Sequence, residues 1–422
     1  MSIKSNWKKC KLKDLVKINS SSVSKKDNLE HIVYLDTGNI TMGKIEELAE
    51  FAYSEAPSRA KRKVKENSIV YSMVRPNQRH YGLIKNPTTN LIVSTGFAVL
   101  DAKEFADSKY IYYWLTQNHI TDLLQSIAEN STSAYPAIRP VDLENLDISL
   151  PPLDEQKRIA EILGSLDDKI ELLQKQNKTL EDMAKALFKS WFVDFDVVRA
   201  KQKGLPKADI MREYHLTEEL YDLFPSSFAD SSLGPIPSGW EVKPLSKIAV
   251  LTMGQSPAGT TYNETGEGLP FYQGRTDFGF RFPKKRIYCS APTRIAEKGD
   301  ILISVRAPVG DLNMANETCC IGRGVASIRS NISKDSFLYY AMLSAQTQFD
   351  VFNTEGTVFG SINRKDLSSF SILTPIEQLV KEFNNIIRNF DLKIEENLKQ
   401  IQTLTKLRDT LLPRLISGKI RV

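Results

Sequence analysis

The chain has only four cysteines and four histidines in 422 residues. Cys10, Cys289, Cys319 and Cys320 form no CxxC pair and two are adjacent, which argues against a disulfide framework or a zinc site and for a reducing cytoplasm. His31, His80, His119 and His215 are scattered along the chain. There is no GxxxxGK[ST] phosphate loop, since the C-terminal SGKI lacks its other half, and no Asn/Asp-Pro-Pro-aromatic motif of an amino-methyltransferase. One Asp-Thr-Gly occurs, in LDTGNI (35–40), but an aspartic protease needs two aspartates sharing a proton. No apolar run approaches the ~20 residues that cross a bilayer, and the opening MSIKSNWKKCKLKDL has no apolar core of a signal peptide. These absences predict no catalytic centre, no metal and no cofactor. A stand-alone enzyme is the weaker reading.

What remains is a globular composition, 41% hydrophobic and 25% charged, long enough for two or three domains. The net charge of +5 comes from 56 basic and 51 acidic residues, so clustering matters more than the total.

The chain repeats itself. A shift of 224 residues lays LDDKIELLQKQNKTLEDMAKALF (166–188) over FDLKIEENLKQIQTLTKLRDTLL (390–412), with nine of 23 positions identical, among them Asp167, Lys169, Ile170 and Glu171. With small gaps the match runs backwards. PPLDEQ (151–156) meets TPIEQ (374–378), AIRPVDL (137–143) meets SINRKDL (361–367), and YIYYWL (110–115) meets FLYYAM (337–342). STGFAVL (94–100) meets GRGVASI (322–328), SIVYSMVRP (68–76) meets DILISVRAP (300–308), and Trp7 with Leu12 meets Trp240 with Leu245. Composition alone matches helices; it does not match turns and aromatics. The counterpart of LDTGNI is YQGRT (272–276), which removes the second protease aspartate.

Each repeat opens with short apolar runs separated by Gly, Pro and Asn, mixed with helical pieces, and ends in a long helical pattern. The expected class is α+β. Two similar α/β domains, 1–150 and 237–374, are each followed by a long helix, 151–196 and 375–422, with 197–236 as a polar, Pro- and Gly-punctuated linker.

The helical stripes step by four and three: Ile159, Leu163, Leu166, Ile170, Leu173, Asn177, Leu180, Ala184, Leu187, and Phe383, Ile387, Phe390, Ile394, Asn397, Ile401, Leu404, Arg408, Leu411. That is a coiled-coil period with one asparagine in each stripe. An antiparallel pair with pseudo-two-fold symmetry, its register set by Asn177 facing Asn397, places apolar residues opposite each other nearly throughout. Only Leu166 against Arg408 is poor. Seven basic and eight acidic residues over 151–189, and six of each over 375–412, suit a spacer better than a phosphate-binding surface. Such helices extend roughly 55 Å at ~1.5 Å per residue.

SWFVDFDVV (190–198), PPLDEQKRIAEIL, LGPIPSGWEVKPL (233–245) and the ending LLPRLISGKIRV (411–422) resemble the conserved regions of DNA specificity subunits of type I restriction–modification systems. The resemblance covers essentially the whole chain, although Val197 stands where that family often has proline. It implies two target-recognition domains, each reading one half of a bipartite double-stranded DNA site. It also implies partnership with two modification (methyltransferase) subunits and with restriction (translocase/endonuclease) subunits, and no membrane. The alternative is an orphan specificity-like scaffold without a partner enzyme.

Phosphate contacts give affinity and base-edge contacts give specificity, with Arg to guanine and Asn or Gln to adenine favoured. Residues 57–85 carry eight basic side chains against Glu66. Arg59, Lys61, Arg62, Lys63 and Lys65 are candidate phosphate contacts; Arg75, Asn77, Gln78 and Arg79 are candidate base readers. In the second domain Arg275, Arg281, Lys284, Lys285 and Arg286 stand against Asp277, and Gln273, Arg306 and Arg323 lie at Gly-rich turns. The loops before the helices add Tyr135, Arg139, Thr357, Asn363 and Arg364. Trp191, Phe192 and Phe195 have two readings open: packing of the helix end, or docking of a modification subunit. Asp194 and Asp196 as a metal pair is the poorest of the alternatives.

Overall fold

The computed structural model describes residues 6–131, 135–331, 336–354 and 360–422. They form two compact units, 1–173 with 399–422, and 174–398.

In the first unit the strand Lys8–Lys11 pairs antiparallel with Asp147–Leu150, joining the two ends of the globular part. Between them lie two four-stranded sheets. One runs Val16–Ile18, Phe97–Ala102, Ile69–Ser72, Tyr81–Leu83, antiparallel throughout. The other runs Ala49–Ala52, His31–Leu35, Leu91–Ser94, Ala60–Lys63. IVYS and LIVS are buried along their whole length, which is why they read as continuous β-branched and aromatic runs without alternation. The helix Ser108–Leu115 starts where the Asp107 side chain accepts from the Tyr110 backbone N–H at 2.8 Å. It buries Tyr110, Ile111 and Leu115 against Leu12, Tyr71 and Leu100, in a core completed by Leu163 and by Leu415 and Ile416.

The second unit repeats the plan. Glu241–Pro244 pairs with Ser371–Thr374. One sheet runs Ala249–Met253, Val325–Ser330, Ile301–Ser304, Leu312–Met314, and the other has five short strands. Matching backbone bonds carry the repeat: Leu12 N–H donates to the Leu146 carbonyl at 2.9 Å, and Leu245 N–H to that of Phe370 at 2.8 Å.

The long helices span Leu153–Phe192 and Glu377–Ile416, 40 residues each. In the second unit they pair antiparallel, since Asn177 meets Asn397 while Phe188, further along, meets Phe383 with ring centroids 5.8 Å apart. In the first unit Arg408 does not waste its charge on Leu166. Its Nη1 donates to Asp167 Oδ1 at 2.8 Å, and Tyr113 OH donates to the other oxygen at 2.7 Å.

Two expectations change. The stretch 197–236, expected as a linker, carries helices Asp196–Gln202, Lys207–Glu213 and Glu218–Asp222, and buries Val197, Val198, Ile210 and Phe224 in the second unit's core. Its Gly204 (φ +71°) and Pro206 end one helix and begin the next. Lys201 Nζ donates to the Tyr221 and Phe224 carbonyls, both at 2.6 Å, closing the last of these helices. The docking reading of Trp191, Phe192 and Phe195 also gives way. They are 2%, 5% and 9% exposed and pack among Phe188, Phe224, Trp240 and Phe383, so no partner reaches them. Asp194 is bound by Lys189, and Asp196 accepts from Ser190 Oγ at 2.8 Å. Among the described residues no helix is long and apolar enough to cross a membrane.

Candidate nucleic-acid interface

In the first unit the buried strand Ile69–Ser72 emerges into residues 73–79, and several candidate segments converge there. Met73 N–H donates to the Gly96 carbonyl at 2.9 Å and Ile138 N–H to the Met73 carbonyl at 2.8 Å. Arg75 N–H donates to the Pro136 carbonyl at 2.9 Å, and Thr95 N–H to that of Arg59 at 2.8 Å. Arg59 and Met73 therefore flank the turn 94–96, and 136–138 runs beside 73–75. A Cβ on Gly96 would lie 2.8 Å from the Thr37 methyl carbon, so the approach depends on glycine. Arg75 (φ +48°) and Arg79 (φ +58°) flank the 3₁₀ turn Pro76–Gln78 in left-handed conformations that cost an ordinary residue about 1–3 kcal/mol. The loop is tethered where Asn77 N–H donates to Gln125 Oε1 at 3.1 Å. Gln78 is exposed, and the Arg75 guanidinium lies 5.6 Å from the ring centroid of exposed Tyr135.

The edge strand Ala60–Lys63 carries the other cations. Lys61 is exposed, 5.8 Å from the Tyr53 ring. Arg62 Nη1 donates to Ser22 Oγ at 3.3 Å. Lys63 Nζ sits 2.5 Å from Asp27, and this hydrogen bond holds the Asp27 carboxyl down at about 2. Lys65 is 4.0 Å from Asp101. Arg59 and Lys61 are the more open of the set.

The second unit builds the same crossing. Val305 N–H donates to the Gly324 carbonyl at 2.9 Å, Ile362 N–H to that of Val305 at 3.1 Å, and Ala307 N–H to that of Gly360 at 2.9 Å. A Cβ on Gly324 would lie 2.2 Å from the Gln273 carbonyl oxygen. Exposed Gln273, Arg306 and Arg323 are thereby gathered around the turn 322–324. Among the described residues the side chains of Arg306 and Arg323 make no hydrogen bond or ion pair, so both guanidinium groups are free to meet a ligand.

Several other candidates bond within the protein. Arg139 and Asn363 occupy equivalent helix caps. Asp142 accepts from Arg139 N–H at 2.7 Å and from its guanidinium at 3.3 Å, while Asn363 Oδ1 accepts from Asp366 N–H at 3.0 Å. Arg364 is exposed on the following turn. Arg275 pairs with Asp311 at 2.9 Å, Lys285 with Glu317 at 2.5 Å, and Arg286 with buried Asp277 at 3.0 Å. Lys284 is exposed. Thr357 lies outside the described residues.

Arg281 is a correction: it is 1% exposed. Its guanidinium binds Glu181, donates to Asp391 Oδ1 at 2.7 Å and to Tyr340 OH at 2.6 Å, and faces the Tyr339 ring at 4.5 Å. A charge this deep persists only because it is paired. Burial pushes the Asp391 carboxyl above its ordinary value in spite of Arg281. Asp391 is the repeat counterpart of Asp167. Their identity within the 23-residue match was the signal for an anchoring role, one that basic-cluster counting overlooks.

The family described as type I restriction modification DNA specificity domain matches residues 4–182 and 237–406. The chain is 31% identical, over all of its length and 95% of the relative's, to the MjaX specificity subunit assigned to a type I restriction enzyme of Methanocaldococcus jannaschii. It is 27% identical to the HindI type I restriction enzyme specificity subunit of Haemophilus influenzae, over 99% of this chain and 100% of that one. A crystal structure of the type I restriction–modification S subunit from M. genitalium shares the fold, with a TM-score of 0.58 at 17% identity over 97% of this chain and 96% of that one. The chain belongs to the type I restriction–modification DNA specificity family, as the non-catalytic subunit that recognises DNA targets for the complex.

Proposed function

We propose that the chain reads a bipartite double-stranded DNA site, one half with residues 1–150 and the other with 237–374. It brings two methyltransferase subunits, and with them the restriction subunits, to that site in the cytoplasm. The observation that carries this reading is the duplicated crossing. Each domain presents the same backbone framework around Gly96 or Gly324, yet exposes different side chains on it: Arg75, Gln78 and Tyr135 in one, Gln273, Arg306 and Arg323 in the other. One framework with two side-chain sets suits two different half-sites. The basic residues spent in internal ion pairs, such as Lys63 and Arg286, are structural in this reading. The long helices, balanced in charge, serve as the constant part of the chain.

The test is co-expression with the modification subunit from the same locus, followed by sequencing of the host DNA for modified bases. A methylated motif with two defined halves and a fixed spacer is expected. A soluble complex that methylates nothing would leave a specificity-like scaffold instead.

A further inference from the structure

We infer that residues 74 and 306 are one position repeated in the two reading surfaces, and that each touches a base edge: Arg306 a guanine, Val74 the methyl group of a thymine. The inference rests on the two-half reading above and deepens it.

The equivalence is geometric. Val74 bridges antiparallel to Ala137, and Arg306 to Ser361, in segments that the repeat aligns. The residue before each donates to the equivalent glycine carbonyl, and the residue after each donates to the loop before the short helix Pro140–Glu144 or Arg364–Ser369. Val305 is 3% exposed and Pro76 is buried, whereas Val74 is 38% exposed and Arg306 is exposed. Here, as at the following pair Arg75 and Ala307, the chain exposes its side chain from the same frame in both domains, and the residue type differs.

That difference decides between contact classes. The phosphate backbone is the same for every sequence, so a phosphate contact at equivalent positions asks for a cation in both domains. Valine offers none. An exposed branched apolar side chain beside a cation-bearing turn finds its complement in the thymine methyl group, the apolar feature of the major groove. An arginine whose guanidinium bonds nothing among the described residues has the fork geometry for guanine O6 and N7. Neighbours supply the charge needed for approach: Arg75 next to Val74, and Arg323 on the turn beside Arg306.

The experiment compares wild type with Val74→Arg, Arg306→Val and Arg306→Lys, each co-expressed with the modification subunit. It reads the methylated motif and the affinity for duplexes varied one base at a time, at two salt concentrations. Both positions are exposed, so folding is preserved; thermal unfolding checks this. Val74→Arg is expected to change one base of one half, and Arg306→Val one base of the other, with preference shifting roughly 5- to 150-fold. Arg306→Lys, which keeps the charge but loses the fork, is expected to relax the same base while holding the salt dependence. An unchanged motif in all three variants overturns the inference. So does a uniform loss of affinity across sequences with a shallower salt dependence, which would make Arg306 a phosphate contact. No bipartite motif from wild type overturns the two-half reading beneath it, a result the variants do not mimic.

Discussion

Asn397 donates from Nδ2 to Oδ1 of Asn177 at 2.9 Å, joining the two long helices across 220 residues of sequence. Both are buried, and among the described residues Asn177 Nδ2 and Asn397 Oδ1 have no further partner. The pair is thus a cost relative to an apolar layer, and it fits a register device. Asn177→Leu should destabilise the protein by about 1–3 kcal/mol, because it strands the Asn397 amide. Asn177→Leu with Asn397→Leu should recover that loss or exceed wild type, as followed by urea unfolding.

Arg281 separates anchoring from reading. Arg281→Ala leaves Glu181 and Asp391 buried without their cation, and should cost about 3–5 kcal/mol. Neutralising all three as Arg281→Met, Glu181→Leu and Asp391→Leu should restore most of it. A DNA-contacting Arg281 would instead lose affinity at unchanged stability.

Lys63 and Asp27 give a pH-resolved check. The Asp27 carboxyl is held at about 2, below its ordinary 3.8, by the hydrogen bond from Lys63. A depressed carboxylate contributes its stability above the unfolded value, and the contribution is lost as pH falls through about 2. NMR titration of Lys63→Ala should return Asp27 toward 3.8. Asp27→Asn frees Lys63, and if Lys63 then meets a phosphate, the slope of affinity against salt should steepen by about one counterion.

Trp191 distinguishes core from docking surface. Trp191→Ala should destabilise by about 3–5 kcal/mol through the cavity it leaves among Phe224, Phe383 and Phe192. Loss of methyltransferase binding at full stability would restore the docking reading.

Fold class and helix pairing were legible in the sequence because both are periodic. The four–three stripe and the 224-residue shift survive any local ambiguity. Burial of charge was not legible. Arg281 lies in the basic run 275–286 and Arg306 alone between Asp300 and Asp311, yet the tertiary positions of Glu181 and Asp391 make Arg281 the buried anchor and leave Arg306 open. Punctuation misled at 197–236, where Gly204 and Pro206 mark helix ends as readily as a linker. SWFVDFD was ambiguous for a related reason, since aromatics densely spaced in sequence suit an interface and a core alike. Val74 escaped notice because an apolar residue carries no charge signal, although the alignment of SIVYSMVRP with DILISVRAP already set it opposite Arg306.

The central claim is that each domain reads its own half-site independently. The direct measurement is replacement of residues 1–150 by the corresponding domain of a family member with a different target, followed by sequencing of methylated bases in cells that also carry the modification subunit. One half of the motif should change while the other half stays as in wild type. A change in both halves, or in neither, would contradict the account.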